Sequence, residues 1–434
     1  MRARSAFCDV TPRGRAVQLA GYAGRPPTAE ILDAIEISAV LLEDGERRCL
    51  IFSFDLMGVG AQLQAMILAR LARRGFKPGE VMLLASHTHF APATDRACAP
   101  LGEPDDRFVS DAAEAAENLV RVILQAEPVE IRLQIKQGTL DHSINRRRYW
   151  PLPTLNRTYG LRFSCIAMAP EPDGATDERA TVILLRRTDN DTVMAAIWHY
   201  ACHATAVVPP NAVSADFPGA VRRALRRQLG DVPCVFVQGF CGDISPKIMR
   251  APSPLSSRLR SLMRLPITGP TFPSSTPDDY IRWSEGLAAA VVRIAQSRMD
   301  RPPATGSLAT GLADVALSSL FQGRTPDKPL TVQTLRLGAI ELMALSAEVT
   351  MEWQPILESK VPPRDGTLRL YAGYLGTLYG YLPTPDQIRQ GGYEVTGFQH
   401  LFGLSGRFDA DKIVPAVVDC VKRAVDDLER ALQG

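Results

Sequence analysis

Histidine is scarce in this chain, and the scarcity narrows where chemistry can reside. Only six occur in 434 residues: His87, His89, His142, His199, His203 and His400. The eight cysteines (Cys8, Cys49, Cys98, Cys165, Cys202, Cys234, Cys241 and Cys420) form no C-x-x-C pair, so zinc-ribbon and thioredoxin-type motifs are excluded. Several of them sit inside apolar strand-like runs, where a free thiol behaves as a small hydrophobe. No run approaches the ~20 apolar residues of a helical membrane span. Lysine and arginine number 49 against 47 acidic residues, so no global charge favours nucleic acid or an anionic membrane. The first residues, MRARSAFCDVTPRGR, are basic in places but hold no continuous apolar segment, and no secretory signal is expected. The expectation is a reduced, cytoplasmic protein with no nucleic-acid partner and no stable membrane anchor.

There is also no long Gly/Ser linker, so we expect one domain over residues 1–434. Within it one unit recurs three times. RCLIFSF, Arg48 to Phe54, reads as a strand, AQLQAMILARLARRGF as a helix, and VMLLAS as a second strand that delivers His87 and His89. TVMAAIWHYA, the amphipathic FPGAVRRALRRQLG closed by Gly230, and VPCVFVQGF repeat the order, placing Cys202-His203-Ala204-Thr205 and Cys241-Gly242-Asp243-Ile244-Ser245-Pro246 past strand ends. The third unit is IELMALS, then Glu348, a helix through MEWQPILES, and LRLYAGYLG, followed by Tyr379-Gly380-Tyr381. The expected fold class is α/β, a mixed sheet core flanked by helices. Ligands gather at the carboxyl ends of strands in such folds. Between the second and third units, Lys247 to Asp278 is rich in Pro, Ser and Thr and reads as a loop or lid. Arginines 222, 223, 226 and 227 read as a solvated helix face; a minor alternative brings Lys247 and Arg250 to an anionic substrate.

Taken alone, these residues leave two readings open. His87, His203 and Glu348 are ligand types for Zn²⁺, which accepts imidazole nitrogen and carboxylate oxygen. Equally, each could be a structural residue at a strand end. Ser245 is either a turn or cap serine or a hydroxyl facing a cleft, and no G-x-S-x-G elbow surrounds it.

Six ordered strings decide for a resemblance: SHTHFAP, CHATA, SADFPG, CGDISP, AEVT and YGYLPTPDQ. They are similar to motifs of the neutral/alkaline ceramidase family, of the form T-H-T-H-S-G-P, V-H-A-T-S, S-G-D-N-x-G, G-D-V-S-P-N, G-E-F-T and Y-x-x-Y-[IV]-T-T-P-E-E-Y. The likeness begins near FCDVTP, passes through INRRRY and reaches GGYEV, almost the whole chain. It implies one zinc held by His87, His203, Glu348 and Tyr381, with Tyr379 as the alternative tyrosine. It implies Ser245 as the residue of amide cleavage, His89 facing the reacting group, and Arg146 as the arginine of I-N-R, with two neighbouring arginines as rivals. Asp216 is expected to support a loop. A serine at its free pKa needs a neighbouring base, for which His89 is available, and Arg146 with the backbone near Gly242 to Ser245 suits an oxyanion.

The chain also departs from that family. Lys247 replaces the Asn after the serine motif, Phe90-Ala91 replaces Ser-Gly, and Ala347 replaces the Gly before the glutamate. The family's further C-terminal β-sandwich domain is not expected, since the helix KIVPAVVDCVKRAVDDLERALQ follows soon after the tyrosine motif. The implied function is a zinc-dependent amidohydrolase acting on a small N-acyl amine rather than on ceramide. A lactonase or esterase on the same site, and a metal-binding pseudoenzyme or scaffold, are the alternatives. A homo-oligomer is compatible with the sequence.

Overall fold

All three strand–helix–strand units form, and each closes a parallel strand pair. In the computed structural model, which describes every residue except 157–159, 163–165, 209, 249–268, 299–306, 326–327 and 434, strand Arg47–Phe54 runs parallel to Val81–Ala85 across helix Ala61–Ala72. Val193–Tyr200 runs parallel to Cys234–Gln238 across helix Asp216–Leu229. Ile340–Leu345 runs parallel to Leu368–Ala372 across helix Trp353–Lys360. Most of the expected lid, Lys247 to Asp278, falls on 249–268 and lies outside the described residues.

The first two units are the two edges of one eight-stranded mixed sheet. Between them stand four antiparallel strands, Arg179–Arg187, Val129–Thr139, Arg2–Asp9 and Glu36–Asp44. The third unit belongs to a four-stranded sheet with Leu308–Ala316 and Pro329–Leu337. Side chains alternate across a strand with period two, and the alternation shows how the layers stack. Val40, Leu42 and Ile51 face Leu335, Leu337 and Leu342 of the smaller sheet. Ala39, Leu41, Leu50 and Phe52 face the other way, toward helices Ala61–Ala72 and Asp106–Gln125. On that second helix Phe108, Ala112, Ala116, Leu119 and Ile123 form the apolar stripe, and Asp105 caps it by accepting from the N–H groups of Arg107 and Phe108. Helices Asp216–Leu229 and Pro277–Gln296 cover the other half of the large sheet over Val182, Trp198 and Phe236. Helix Ile413–Gln433 lies on the outer face of the small sheet, where Val417, Val421 and Ala424 meet Val332 and Met343. The order of layers is therefore helix, sheet, sheet, helix. Fully burying one Val, Leu, Ile or Phe side chain in such an interior stabilises by ~1.5–3 kcal/mol.

Backbone contacts then draw the three units to one place. Isolated bridges join Leu84 to Leu375 and Gly239 to Ala372. Ala85 donates its N–H to the Tyr374 carbonyl at 3.1 Å, and Gly373 donates to Gln238 at 3.1 Å. The carboxyl ends of strands from distant parts of the chain thus converge.

Candidate metal centre

Just beyond strand Val81–Ala85, His87 takes a left-handed conformation at φ 61°. A non-glycine residue in that region stores strain of order 1–3 kcal/mol and persists only where its surroundings hold it. Two contacts do so. Its Nδ1 donates to the Met57 carbonyl at 2.7 Å, and its ring lies 4.2 Å from that of Tyr374, itself at φ 60°. From the second unit, His203 donates Nδ1–H to the Cys241 carbonyl at 2.9 Å. A carbonyl only accepts, so in both imidazoles the proton is on Nδ1 and Nε2 presents a bare lone pair.

Those two Nε2 atoms lie 3.1 Å apart. The Glu348 Oε2 atom stands 3.1 Å from the first and 3.5 Å from the second. All three residues are at most 3 % exposed. Three buried acceptors facing one another repel unless a cation lies among them. Two ligands about 2.05 Å from a tetrahedral zinc are about 3.3 Å apart, so the spacing and the donor set both fit a metal ion. Burial pushes His203 well below its ordinary pKa and keeps it neutral, as a nitrogen ligand requires.

Glu348 pairs with Tyr381 across the short parallel strands Glu348–Val349 and Tyr381–Leu382. Burial, then Glu348, hold the Tyr381 phenol well above its usual range, so it keeps its proton and hydrogen-bonds Glu348. It also accepts from Arg146 Nη2 at 3.1 Å. The rival Tyr379 is buried with a hydroxyl that finds no partner among the described residues, so Tyr381 is the tyrosine that joins the cluster. Among the three adjacent arginines the choice is equally clear. Arg146 reaches Tyr381, the Gly242 carbonyl at 2.6 Å and Glu394 at 2.9 Å. Arg147 takes the other Glu394 oxygen at 2.8 Å, and Arg148 turns away to Glu171. Burial works against the Arg146 charge, but Tyr381 and Glu394 hold the cation firmly protonated.

His89 completes the group: its Nε2 is 3.2 Å from His87 Nε2, and the ligand atoms of His87, His89 and His203 lie within 4.8 Å of one another. Like the other two, its ring takes a backbone partner, here Gly21. It rests against Gly21, where an added Cβ would approach Nδ1 to 2.4 Å. Burial holds His89, too, well below its ordinary pKa.

Ser245 lies on strand Ile244–Pro246, opposite Ile144 on Ser143–Tyr149. The preceding carbonyl, of Ile244, accepts the His203 N–H at 3.2 Å. Ser245 is thus one residue from the histidine's backbone, 9 % exposed, and its hydroxyl has no side-chain partner among the described residues. Asp216 supports a loop, as expected: at φ 56° it accepts from Ala206 N–H at 2.8 Å and Phe217 N–H at 2.6 Å. Lys247 is not free for a ligand, because Asp141 holds its ammonium at 2.5 Å, and Arg250 lies outside the described residues.

No family model matches the chain and no curated protein matches it, but solved structures do. A neutral ceramidase from Pseudomonas aeruginosa superposes with a TM-score of 0.73 at 18 % identity, over 99 % of this chain and 74 % of that one. A ceramidase complexed with C2 gives 0.72 at 18 % identity, over 99 % of this chain and 75 % of that chain. The fold is that of neutral ceramidase. The chain spans about three quarters of the length of these ceramidase structures.

Within this ceramidase fold, several residues of the site carry no sequence signal of their own. Glu394 sits in the GGYEV string, yet nothing local shows that it bridges Arg146 and Arg147. Tyr374 links both histidines: its ring meets His87 and its hydroxyl lies 3.1 Å from Cys241 Sγ, on the residue whose carbonyl orients His203. Asp243, in CGDISP, receives Met351 N–H at 2.8 Å and Gln387 Nε2 at 3.1 Å, joining three motifs. Only Gly21, at φ 106°, is the type of residue that invites suspicion of a close approach.

Proposed function

We propose that the protein is a zinc-dependent amidohydrolase that cleaves the amide bond of a small N-acyl amine. The observation that carries the reading is the pair of unprotonated Nε2 atoms of His87 and His203, 3.1 Å apart and faced by Glu348. The ceramidase fold supports it. His87, His203, Glu348 and Tyr381 would hold the ion, which when bound polarises a carbonyl and stabilises negative charge developing on its oxygen.

The chain's own groups would do the rest. The Ser245 hydroxyl attacks the amide carbon while His89, kept neutral by burial, receives its proton. The C–N bond then breaks, His89 returns the proton to the departing amine, and the acyl group stays on Ser245. Water repeats the sequence in reverse: it attacks the ester, gives a proton to His89, and the acid leaves as Ser245 regains its hydrogen. Arg146, charged and anchored on Glu394 and Gly242, places fixed positive charge next to Tyr381, where it needs no reorganisation as charge develops.

The test is Ser245→Ala assayed on short N-acyl amines, with metal content measured on the same sample. Turnover should fall by about 10³-fold or more while the ion remains bound. Near-native turnover would mean that Ser245 only shapes its strand.

A further inference from the structure

Beside His89 stands a half-buried arginine without a carboxylate. Arg25 Nη2 donates to the carbonyls of His89, at 2.7 Å, and Ala20, and Nη1 donates to Pro210 at 2.7 Å. Its guanidinium carbon lies 4.9 Å from the centre of the Tyr22 ring and 5.8 Å from that of Phe90. Every one of these partners is neutral. The buried arginines Arg146, Arg147, Arg222, Arg336 and Arg369 each meet a carboxylate. None reaches Arg25 among the described residues, and its buried Nε has no acceptor. Burial draws its pKa down to about 10, as befits a cation short of counter-charge.

A desolvated cation is unfavourable unless an anion meets it; carbonyl dipoles and aromatic faces supply only part of that charge. The position gives the deficit a meaning. Tyr22 packs 5.0 Å from the His89 ring and is 38 % exposed, so the Tyr22–Arg25 pair stands between solvent and the histidine cluster. Arg25 touches the backbone of the residue whose ring meets His87. Resting on the amidohydrolase reading, we propose that Arg25 binds an oxyanion of the substrate, a carboxylate or phosphate a few bonds from the scissile amide. The favoured substrates are then short anionic amides, such as an N-acylated amino acid or a phosphorylated N-acyl amino alcohol. Nη2 spends its hydrogens on the Ala20 and His89 carbonyls and Nη1 one on Pro210, so the oxyanion would meet the remaining Nη1 hydrogen and the fixed positive charge.

The experiment compares kcat/KM for two matched pairs on the metal-loaded chain: an N-acyl amino acid against its carboxamide, and an N-acyl amino-alcohol phosphate against the free alcohol. The unaltered protein should favour the anionic member of at least one pair by about 10- to 100-fold, chiefly through KM. In Arg25→Gln that ratio should fall to near one, and Arg25→Lys should restore part of it. Which pair shows the effect identifies the oxyanion. A variant in which both members of a pair lose activity equally would show a structural arginine and overturn the proposal, as would equal activity on both members in the unaltered protein. If neither member is cleaved, the amidohydrolase reading fails instead. Calorimetric binding of the same four compounds to Ser245→Ala, with and without Arg25→Gln, then decides the Arg25 question by itself.

Discussion

If the protein holds zinc as proposed, stripping the ion should weaken the fold as well as stop the reaction. Without it, the Nε2 lone pairs of His87 and His203 face each other at 3.1 Å with the Glu348 carboxylate beside them. Relief requires either a proton on a buried imidazole or a spreading of the three side chains. Spreading would pull against the Met57 and Cys241 carbonyls that orient the rings, at the point where three strand ends meet. A ligand that binds only the folded state at a free concentration a thousand times its Kd contributes about 4 kcal/mol. With an unfolding entropy of roughly 0.9 kcal/mol per kelvin for a chain of 434 residues, chelation should lower Tm by about 4–5 °C. A tighter site would give more. The assay is calorimetry before and after chelation, with zinc added back and elemental analysis of each sample. His203→Ala removes one ligand and one carbonyl anchor, so it should bind less metal and respond little to chelator. Unaltered protein that carries no ion after metal-free purification, and whose Tm does not move when zinc is added, would refute the reasoning.

Gly21→Ala forces a Cβ to 2.4 Å from His89 Nδ1 at a backbone φ of 106°; kcat should fall by about 10-fold or more through the displaced base, and an unchanged kcat would show that His89 is not needed in its observed place. Glu394→Gln leaves Arg146 and Arg147 buried without their shared carboxylate, and a loss of about 3–5 kcal/mol is expected from denaturant titration; a loss under 1 kcal/mol would mean that other groups neutralise the pair. Asp216 is raised from 3.8 to about 7 by burial, with Asp33 adding to the shift and Tyr280 and two backbone N–H groups opposing it. Its protonated form is favoured in the fold, so its contribution is fully present below the unfolded pKa and is lost as pH rises through about 7, a change on the order of 4 kcal/mol. Asp216→Asn should therefore flatten stability against pH between about 4 and 7, measured by urea unfolding, and an unaltered slope would rule out the shift.

What could be read from the sequence was what local patterning encodes. RCLIFSF, VMLLAS, TVMAAIWHYA and VPCVFVQGF are apolar runs bounded by polar residues, and all became strands within a residue or two of their expected limits. The parallel pairs followed because a helix separates the strands of each unit. The central antiparallel strands and helix Asp106–Gln125 were not anticipated; strand Val129–Thr139, for example, mixes charged and apolar residues and finds its place only through the neighbours it pairs with. Charge partners were hidden for a similar reason. Arg222 reads as part of a solvated helix face, yet it is 5 % exposed and meets Asp55 of the first unit and Glu36 of strand Glu36–Asp44. The candidates His87, His89, His203, Glu348, Tyr381, Arg146 and Ser245 stood out through ordered motifs, and the structure brings His87, His89 and His203 together with Glu348. Glu394, Tyr374 and Arg25 were not, because their roles consist of contacts with residues far away in the chain.

The way the site is held explains how this fold persists at 18 % identity with ceramidase structures. His87 and His203 are oriented by the carbonyls of Met57 and Cys241, not by their side chains. Gly242 is fixed by its own N–H on the Val349 carbonyl at 2.8 Å, and His203 by its N–H on Ile244. Arg146 is anchored in part on the Gly242 carbonyl, and its N–H bonds the Asp243 carbonyl at 2.8 Å. A backbone group is the same whatever side chain accompanies it, so such a support survives substitution as long as the strand ends stay in register. Register in turn depends on which face each apolar residue occupies, and many apolar residues satisfy that requirement. Side-chain identity is then demanded at few positions: the acceptors that face one another, the cation that holds Tyr381, and the glycines at Gly21 and Gly242, where an added Cβ would come within 2.4 and 2.5 Å of its neighbours. Apart from Gly21, those positions lie in the ordered motifs, and much of the remaining chain can change around them.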